Sequence, residues 1–461
     1  MFTALYFILT LSFGVGASSQ TVSQHIMAQP NVGFVSAHGT RLFRHGHPHY
    51  ISGANYWQAM NLGMSSGPSS SRARVLDDLS TLSSHGVNTV RILAASEGSQ
   101  YGWQADRIYP ALMASPGTYN MEVFEGLDWF LAQLPRFNMT AVVSISNYWT
   151  WSGGVAQYVS WATDTRIPYP VQWDHLRQVF VGGEYQAYLD YTNRFYADPL
   201  VYNTTQRWFR DHIRRVITRT NVYTGVEYRN DPSILAWELM NEPQIIPDDY
   251  DQLFRWINET ASFIHSLDAR HLVTTGAESK NGQQWFHAMH RSPYISLASA
   301  HFWPLNWGLY NSTDPSLGSV DFAIQEMRKF VRGVSEWSQE LDMPCALFEY
   351  GLMRDQWGSS AGLSAYTPSA PVTHRNRFYA AVADAVLENG PCRGEGAFAG
   401  AAFWAYAGSA RPPVLPTEEM SWTGDPPHEP PGWNSVYDND TVTLSVIGSF
   451  SERLSSCQII Y

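Results

Sequence analysis

The sequence predicts an α/β protein, a (β/α)₈ TIM barrel with long βα loops and a small N-terminal capping hairpin. Strand-like and helix-like runs alternate from about residue 50 to residue 404, which is typical of parallel strands joined by helices. Eight such units over roughly 400 residues fit one barrel. A doubly wound open sheet is the alternative, but no glycine-rich phosphate turn follows the first strand.

The expected elements follow in chain order. Residues 34–51 predict the capping hairpin, with turns at Gly39 and Gly46. We expect strands at 50–53, 89–93, 140–146, 234–240, 271–275, 296–303, 346–350 and 397–404. We expect helices at 72–84, 121–137, 199–220, 248–268, 283–291, 321–340, 374–389 and 443–456. Gly86 is suited to end the first helix because glycine tolerates a left-handed backbone.

One long segment, 147–198, contains many aromatic residues but little periodicity. Loops of that length are usually functional or disordered, and the aromatic content argues against disorder. A second segment, 409–435, is rich in proline. We expect the first segment to be a long, ordered loop.

The N-terminus has the features of a secretory signal. Residues 1–17 form a short apolar run that ends in the small residues Val15, Gly16 and Ala17. The run is too short to span a bilayer. We therefore expect a secreted, extracellular protein, with a signal peptide at 1–17 and a single domain at 18–461.

Composition narrows the class of partner. The net charge of −12 disfavours binding to phosphate backbones, so we expect no nucleic-acid partner. The 18 tryptophans offer flat surfaces on which sugar rings stack, although several must lie in the core. Five glycosylation motifs fit export, at Asn138, Asn203, Asn258, Asn311 and Asn439.

The three cysteines allow one internal disulfide at most. Cys392–Cys457 is the favoured pair, and Cys345 lies in an expected core strand as a buried thiol. No cysteine and histidine spacing indicates a zinc site. We interpret the histidines at 38, 45, 47 and 49 as part of an exposed hairpin, so no metal is predicted.

Chemically capable residues lie at the carboxyl ends of the expected strands. The clearest case is the run SILAWELMNEP at 233–243, where an apolar strand ends in Asn241, Glu242 and Pro243. The others are Arg91, Asn147, His301, Glu349 and Trp404. Alone, Glu242 could be a solvated strand end and Glu349 a structural ion pair. Together, two carboxylates at one barrel mouth can cleave a glycosidic bond, with retention if they are about 5 Å apart.

The surroundings suggest a division of roles between the two glutamates. Asn241 could contact the sugar 2-hydroxyl. Arg91 could keep Glu349 ionised as the nucleophile, because a nearby positive charge stabilises a carboxylate. Glu242 would then be the proton donor, with a pKa raised by burial and by the second carboxylate.

These motifs resemble clan-A retaining glycoside hydrolases of family 5, and more closely their β-mannanase subfamily. The resemblance covers nearly the whole mature chain. Its stretches are GANYWQAMNLG at 53–63, SNYWTWSGGVAQYVSWA at 146–162, RTNVYTGVEYRNDPSILAWELMNEP at 219–243, HFWPLNWG at 301–308, FEYGLMRD at 348–355 and GDPPHEPPGWNSVYDND at 424–440.

The resemblance implies roles for individual residues. Glu242 would be the acid/base, Glu349 the nucleophile, and Asn241 the contact to the 2-hydroxyl. Arg91 and His301 would support the nucleophile. Trp404 would be the floor on which the sugar in subsite −1 stacks, and Trp149 would line the glycone side.

Two positions depart from the family pattern. Trp303 stands where most members have a tyrosine two residues after the histidine, and its indole N–H can only donate, here to Glu349. Gln244 follows the NEP motif, where many β-mannanases have an arginine that contacts the sugar in subsite +2. The resemblance therefore does not extend to this sugar contact.

The leading hypothesis is a secreted, monomeric, retaining endo-β-1,4-mannanase without metal or organic cofactor. Its partner would be the β-mannan polysaccharide substrate, with no membrane and no nucleic acid. The alternatives are an exo-β-mannosidase or a β-1,4-endoglucanase of the same family. A catalytically inactive carbohydrate-binding protein is the alternative of another class.

Overall fold

The computed structural model describes residues 33–98, 107–246, 249–355, 366–417 and 419–458. The predicted signal peptide at 1–17 lies outside these residues. Among the helices of this described part, none combines the length and the apolar character that crossing a bilayer requires.

Strands and helices alternate along most of the described chain. The strands are β1 (Val35–His38), β2 (Arg41–Arg44), β3 (His47–His49), β4 (Ile51–Asn55), β5 (Thr89–Leu93), β6 (Met113–Ser115), β7 (Thr118–Tyr119), β8 (Thr140–Ser144), β9 (Gln172–Asp174), β10 (Val179–Val181), β11 (Ile234–Glu238), β12 (Leu272–Thr274), β13 (Ala298–Phe302), β14 (Cys345–Tyr350), β15 (Phe398–Phe403), β16 (Tyr406–Gly408) and β17 (Val436–Tyr437). The helices are α1 (Ala59–Leu62), α2 (Arg72–Ser84), α3 (Met121–Gln133), α4 (Gly154–Thr163), α5 (Tyr185–Ala197), α6 (Tyr202–Ile217), α7 (Tyr250–Leu267), α8 (Gln283–His290), α9 (Leu317–Glu340), α10 (Thr373–Glu388) and α11 (Thr441–Gln458).

Eight parallel strands form the predicted barrel. Their order in the sheet is β12-β11-β8-β5-β4-β15-β14-β13. Neighbours in the sheet are successive barrel strands in the chain, except that the first, β4, pairs with the last, β15. A parallel bridge between Thr274 and Leu297 joins the two ends of the sheet. The barrel strands are buried along their whole length, as expected when helices cover a parallel sheet. All eight carboxyl ends therefore meet at one mouth.

The capping element at the N-terminus is a three-stranded antiparallel sheet, β1-β2-β3, rather than a two-stranded hairpin. Gly39 and Gly46 form its turns, with φ values of +56° and +79°. Both turns agree with the sequence prediction, because glycine adopts positive φ without a steric cost.

The prediction of a long loop at 147–198 was wrong. The segment contains α4, the antiparallel hairpin β9/β10, and α5. In α5, the buried residues Tyr188, Thr192 and Phe195 share one face at helical spacing. Apart from Leu189, the buried residues of α5 are aromatic or carry a hydroxyl, so the sequence lacks the aliphatic pattern from which a helix is usually predicted.

The cysteines are arranged as predicted. A disulfide links Cys392, after α10, to Cys457 near the end of α11. Cys345 in β14 is a buried free thiol. The disulfide thus ties the C-terminal helix to the loop that leads into β15.

A buried ion pair anchors the segment that leads into β11. Asp128 on α3 accepts two hydrogen bonds from Arg219, from Nε at 2.8 Å and from Nη2 at 2.5 Å. Tyr228 donates its hydroxyl to the same carboxylate, and Asn221 donates to the Asp128 carbonyl oxygen. Because β11 begins at Ile234, this cluster helps to fix the strand that precedes Glu242.

We expect Asp128→Asn to lower the free energy of unfolding by about 3 kcal/mol, because it leaves the Arg219 guanidinium buried without its counterion. Urea denaturation at constant m-value measures the change. The matched control is Asp321→Asn, whose pair with Arg377 is about half exposed. It should cost no more than about 1 kcal/mol. Equal losses in the two variants would contradict the anchoring role.

Candidate active site

The candidate site is a cavity of about 360 Å³ at the carboxyl ends of the barrel strands. Its aromatic lining consists of Trp149, Trp151, Tyr185, Trp303, Trp307 and Trp404. Its carboxyl groups belong to Glu242, Glu278, Glu349 and Glu429. A concave site with aromatic walls and a few polar groups suits a sugar, which has both apolar faces and a rim of hydroxyls.

The two predicted glutamates meet in this cavity. Glu242, Glu349 and His301 each offer an oxygen or nitrogen atom, and these atoms lie within 4.8 Å of one another. His301 Nδ1 is 2.8 Å from Glu242 Oε1 and 3.4 Å from Glu349 Oε2. Both carboxylates are buried. The separation fits the spacing of a retaining pair and leaves no room for a water between the two carboxylates.

Arg91 at the end of β5 connects the groups around the pair. Its guanidinium donates to Glu349, as predicted, and to Asn55 at 3.0 Å. It also forms two hydrogen bonds with Glu238, at 2.8 and 2.7 Å. Glu238 is fully buried on β11 and was not identified in the sequence, although it lies within the same SILAWELMNEP run. Arg91 therefore has two buried carboxylate partners, one structural and one facing the cavity.

The backbone at Glu242 has an unusual conformation, with a φ of +53°. Its N–H donates to the carbonyl oxygen of Gly276 at 2.9 Å. Gly276 itself has a φ of +80°, and a Cβ there would lie 2.0 Å from the Met240 carbonyl oxygen. Strained backbone of this kind persists only where the surroundings hold it. The turn after β12 thus fixes the direction in which Glu242 points.

Two indole groups donate to the two carboxylates. Trp149 Nε1 donates to Glu242 Oε2 at 2.5 Å. Trp303 Nε1 donates to Glu349 Oε2 at 3.1 Å, which is the contact predicted for this departure from the family pattern. Each carboxylate therefore accepts a hydrogen bond from an indole.

The two predicted asparagines form a chain of hydrogen bonds behind the cavity. Arg91 Nη2 donates to Asn241 Oδ1 at 2.7 Å, and Asn241 Nδ2 donates to Asn147 Oδ1 at 3.0 Å. Asn241 also lines the cavity, whereas Asn147 is fully buried. The chain fixes the orientation of the Asn241 amide.

Of the remaining predicted residues, Trp404 and His301 lie at the site as expected, whereas Gln244 does not line the cavity. Trp404 follows β15 and lines the cavity. Gln244 is buried and does not belong to the cavity lining, and its side-chain nitrogen has no hydrogen-bond partner among the described residues. His301 lies closer to Glu242 than to Glu349, so its contact is not limited to the expected nucleophile.

Burial dominates the electrostatics of the site. It raises the pKa of both Glu242 and Glu349, and repulsion from Glu242 raises the pKa of Glu349 further. The positive charge of Arg91 opposes these effects at Glu349. Burial and Arg91 lower the pKa of His301 to about 3, so its imidazole is neutral at neutral pH. Because the two carboxylates are close and buried, ionisation of one makes ionisation of the other less favourable.

Several groups in the cavity were not found from the sequence. Lys280 forms an ion pair with Glu278, and Trp307 Nε1 donates to Glu278 at 3.3 Å. His428 stacks on Trp151, with ring centroids 6.2 Å apart, and Glu429 lies beside it in the cavity wall. Lys280, Glu278, His428 and Glu429 lie in loops and turns without a periodic sequence pattern. His428 and Glu429 belong to the stretch GDPPHEPPGWNSVYDND that carries the family resemblance, but no role was predicted for them.

The cluster of Glu242, His301 and Glu349 could in principle hold a cation. In this structure, however, Arg91 and Trp303 donate to Glu349, and Trp149 donates to Glu242. His301 Nδ1 is already paired with Glu242. Hydrogen bonding within the protein accounts for the cluster, and the prediction of metal-free chemistry stays a prediction.

Comparisons with known proteins agree with this geometry. A family model described as GH family 5 beta-mannosidase-like matches residues 32–458. Mannan endo-1,4-beta-mannosidase 2 of Oryza sativa subsp. japonica is 30% identical over 419 residues, covering 86% of this chain and 80% of that protein. Mannan endo-1,4-beta-mannosidase 7 of Arabidopsis thaliana is 30% identical over 395 residues, covering 82% and 78%.

A solved structure extends the similarity to three dimensions. The glycoside hydrolase family 5 mannosidase from Rhizomucor miehei superimposes with a TM-score of 0.86 at 35% sequence identity. The match covers 94% of this chain and 100% of that chain. The family match, the similar structure, the barrel and the paired glutamates agree. The chain therefore belongs to glycoside hydrolase family 5, among its β-mannosidase-like enzymes.

Proposed function

We propose that this glycoside hydrolase is a secreted, retaining endo-β-1,4-mannanase that cleaves internal bonds of mannan, glucomannan or galactomannan. The observation that carries the proposal is the pair of buried carboxylates within 4.8 Å in an aromatic cavity. The names of the rice and Arabidopsis relatives supply the substrate class.

In the first step, Glu242 protonates the oxygen of the leaving sugar while Glu349 attacks the anomeric carbon. The C1–O bond breaks, and a covalent glycosyl-enzyme forms with inverted configuration. In the second step, Glu242 removes a proton from water, which attacks C1 and releases Glu349. Two inversions give net retention.

The contacts of the two glutamates support this assignment. Arg91 donates directly to Glu349 and favours its ionised form, which a nucleophile requires. In the proposed first step the proton is on Glu242, because Glu349 accepts hydrogen bonds from both Arg91 and Trp303, which favour its ionised form. As Glu349 loses its charge in the glycosyl-enzyme, the pKa of Glu242 falls, so it can act as a base in the second step.

Other residues bind the substrate in this proposal. Trp404 provides the face on which the sugar in subsite −1 stacks, and Asn241 donates to its 2-hydroxyl through the second amide hydrogen. Trp149 holds the acid/base and borders the glycone side. Glu278 and Lys280 offer hydrogen bonds to the leaving sugar, a role that Gln244, outside the cavity lining, is poorly situated to fill.

A wall beside the cavity favours a second candidate, an exo-β-mannosidase. The hairpin β9/β10 contacts the segment 424–435, where Trp173 donates its backbone N–H to the His428 carbonyl oxygen at 3.0 Å. The ring of Phe180 lies 5.5 Å from that of Trp433. A wall at one end of a cavity limits the number of sugars that can bind there. The similarity to the Rhizomucor miehei mannosidase agrees with this candidate.

The cellular context is also part of the proposal. We infer a signal peptide at 1–17 followed by one catalytic domain that acts as a monomer. Four of the five glycosylation motifs have exposed asparagines, at 138, 203, 311 and 439. Asn258 is half-buried and accepts a hydrogen bond from Ser292, so we expect it to be glycosylated least.

Glu349→Ala should lower kcat on β-mannan by at least about 10⁴-fold, because the covalent step loses its nucleophile. Azide then distinguishes the roles of the two glutamates with an activated aryl β-mannobioside. Glu242→Ala should yield the β-mannobiosyl azide, and Glu349→Ala the α-azide, both identified by NMR. Asp321→Asn, an exposed site, should keep full activity. Retained turnover in Glu349→Ala would disprove the assignment.

Product analysis on mannohexaose and cellohexaose tests the cleavage mode. An endo-mannanase should release mannobiose and mannotriose from the start and leave cellohexaose intact. Release of mannose alone, one unit at a time, would establish the exo-β-mannosidase instead. Preference for cellohexaose would identify an endoglucanase, and binding without any product would identify the inactive binding protein.

In the pH profile of kcat/KM, the alkaline limb is the fall in activity as the acid, Glu242, loses its proton. Lys280→Met should shift this limb to higher pH. The positive charge of Lys280 lowers the pKa of Glu242, and its removal also leaves the Glu278 charge unpaired beside Glu242. Both changes raise the pKa of the acid, which therefore stays protonated to higher pH. The control is Lys329→Met at an exposed position of α9, which should leave the limb unchanged. A shift to lower pH would contradict the expected sign.

A further inference from the structure

Glu97 is a buried carboxyl group that the proposed reaction does not use. It follows β5 and is 2% exposed, and it does not belong to the cavity lining. Its side chain faces the segment 147–154, which carries two cavity tryptophans, Trp149 and Trp151. A buried carboxyl is costly unless its contacts compensate for the loss of water, so its contacts indicate its role.

Glu97 contacts the end of this segment in three ways. Its Oε2 accepts the Gly154 N–H at 2.9 Å, and its own N–H donates to the Ser152 carbonyl oxygen at 2.6 Å. Its carbonyl oxygen lies against Gly153, where a Cβ would approach it to 2.1 Å. Arg107 donates to the same carbonyl oxygen. Residues 152–154 are thus fixed against Glu97 by both its side chain and its backbone.

The start of the segment is fixed separately by Asn147. Asn147 Oδ1 accepts the Trp149 N–H at 3.0 Å, and its Nδ2 donates to Ser152 Oγ at 3.0 Å. The turn between the two anchors contains Trp149, whose indole donates to Glu242. A displacement of the Glu97 anchor would therefore move the indole relative to the acid/base.

We propose that Glu97 is a positioning residue that holds the 147–154 segment where the Trp149 indole N–H meets Glu242. This inference rests on the proposed role of Glu242 as the acid/base. Glu97 acts through Trp149 and touches no substrate. Its required feature is an oxygen acceptor at the position of Oε2, with a side chain of this length.

The surroundings of Glu97 indicate that charge is not what holds the segment. Burial raises the pKa of Glu97 to about 8, so at neutral pH the group is a neutral carboxylic acid. Arg107 lies near it, and the buried hydroxyl of Tyr158 and the partly buried Tyr119 also interact with it. A glutamine has the same length and keeps an oxygen acceptor for Gly154, whereas alanine or aspartate withdraws it.

The measurement that tests this role is the pH dependence of kcat/KM. Its alkaline limb, where activity falls with rising pH, reports the pKa of the proposed acid, Glu242. The Trp149 hydrogen bond lowers the pKa of Glu242, so its loss should move the limb to higher pH. The other charged or titratable groups that face Glu242 are Arg91, Lys280, Glu278, His301, Glu349 and Glu429, and Glu97 substitutions leave them in place.

Glu97→Ala should lower kcat by up to about 10²-fold and move the alkaline limb to higher pH, and Trp149→Phe should move the limb in the same direction. When Glu97→Ala is combined with Trp149→Phe, the alkaline limb should lie at the same pH as in Trp149→Phe alone. Glu97→Gln should behave like the wild type. Val331→Ala, which removes a buried side chain from α9, is the control for lost stability and should leave the limb unmoved. If Glu97→Ala does not fold, Glu97→Asp replaces it.

An unmoved limb in Glu97→Ala or Glu97→Asp would overturn the inference, and so would a Glu97→Gln enzyme that behaves like Glu97→Ala. An additional shift in the double variant would show that Glu97 does not act through Trp149. These outcomes are separate from the tests of the proposed function, which are the activity of Glu349→Ala and the products formed from mannohexaose and cellohexaose.

Discussion

The buried guanidinium of Arg91 is the interaction on which the site depends. It brings together Asn55 from β4, Glu238 from β11, Asn241 after β11 and Glu349 from β14. A buried arginine is tolerated only when its donors are paired, and Glu238 meets this need with two hydrogen bonds. Arg91 can then contribute positive charge to Glu349 without being an isolated charge in the barrel. The structural ion pair and the catalytic geometry are therefore one network.

Around this network, the walls of the cavity are built by loops that are themselves fixed by backbone contacts. The turn after β12 holds Glu242 at a positive φ through the Gly276 carbonyl oxygen. The segment after β8 brings the Trp149 indole to Glu242, and the segment after β13 brings the Trp303 indole to Glu349. Indole N–H groups only donate, so each favours the ionised form of its carboxylate. Burial and donors thus act in opposite directions on the same pair.

The sequence predicted the elements best where one residue pattern ran without interruption. The bounds 72–84 and 89–93 agree with α2 and β5. The pattern failed at 147–198, because aromatic and hydroxyl residues form most of the buried face of α5 and because β9 and β10 have three residues each. Among the site residues, Glu242 and Glu349 were found, whereas Glu238, Glu97 and Lys280 were missed. Their importance comes from partners that are distant in the chain.

The sequence by itself determined the eight barrel strands, the strand ends that carry Glu242 and Glu349, and the family resemblance. Each of these depends on the order of neighbouring residues, which hydrophobic periodicity and short motifs record directly. Only the tertiary structure decided that Arg91 is shared between Glu238 and Glu349, and that the Trp149 indole meets Glu242. Those contacts join residues 93 to 258 positions apart, so they arise only when the barrel closes and its strand ends converge.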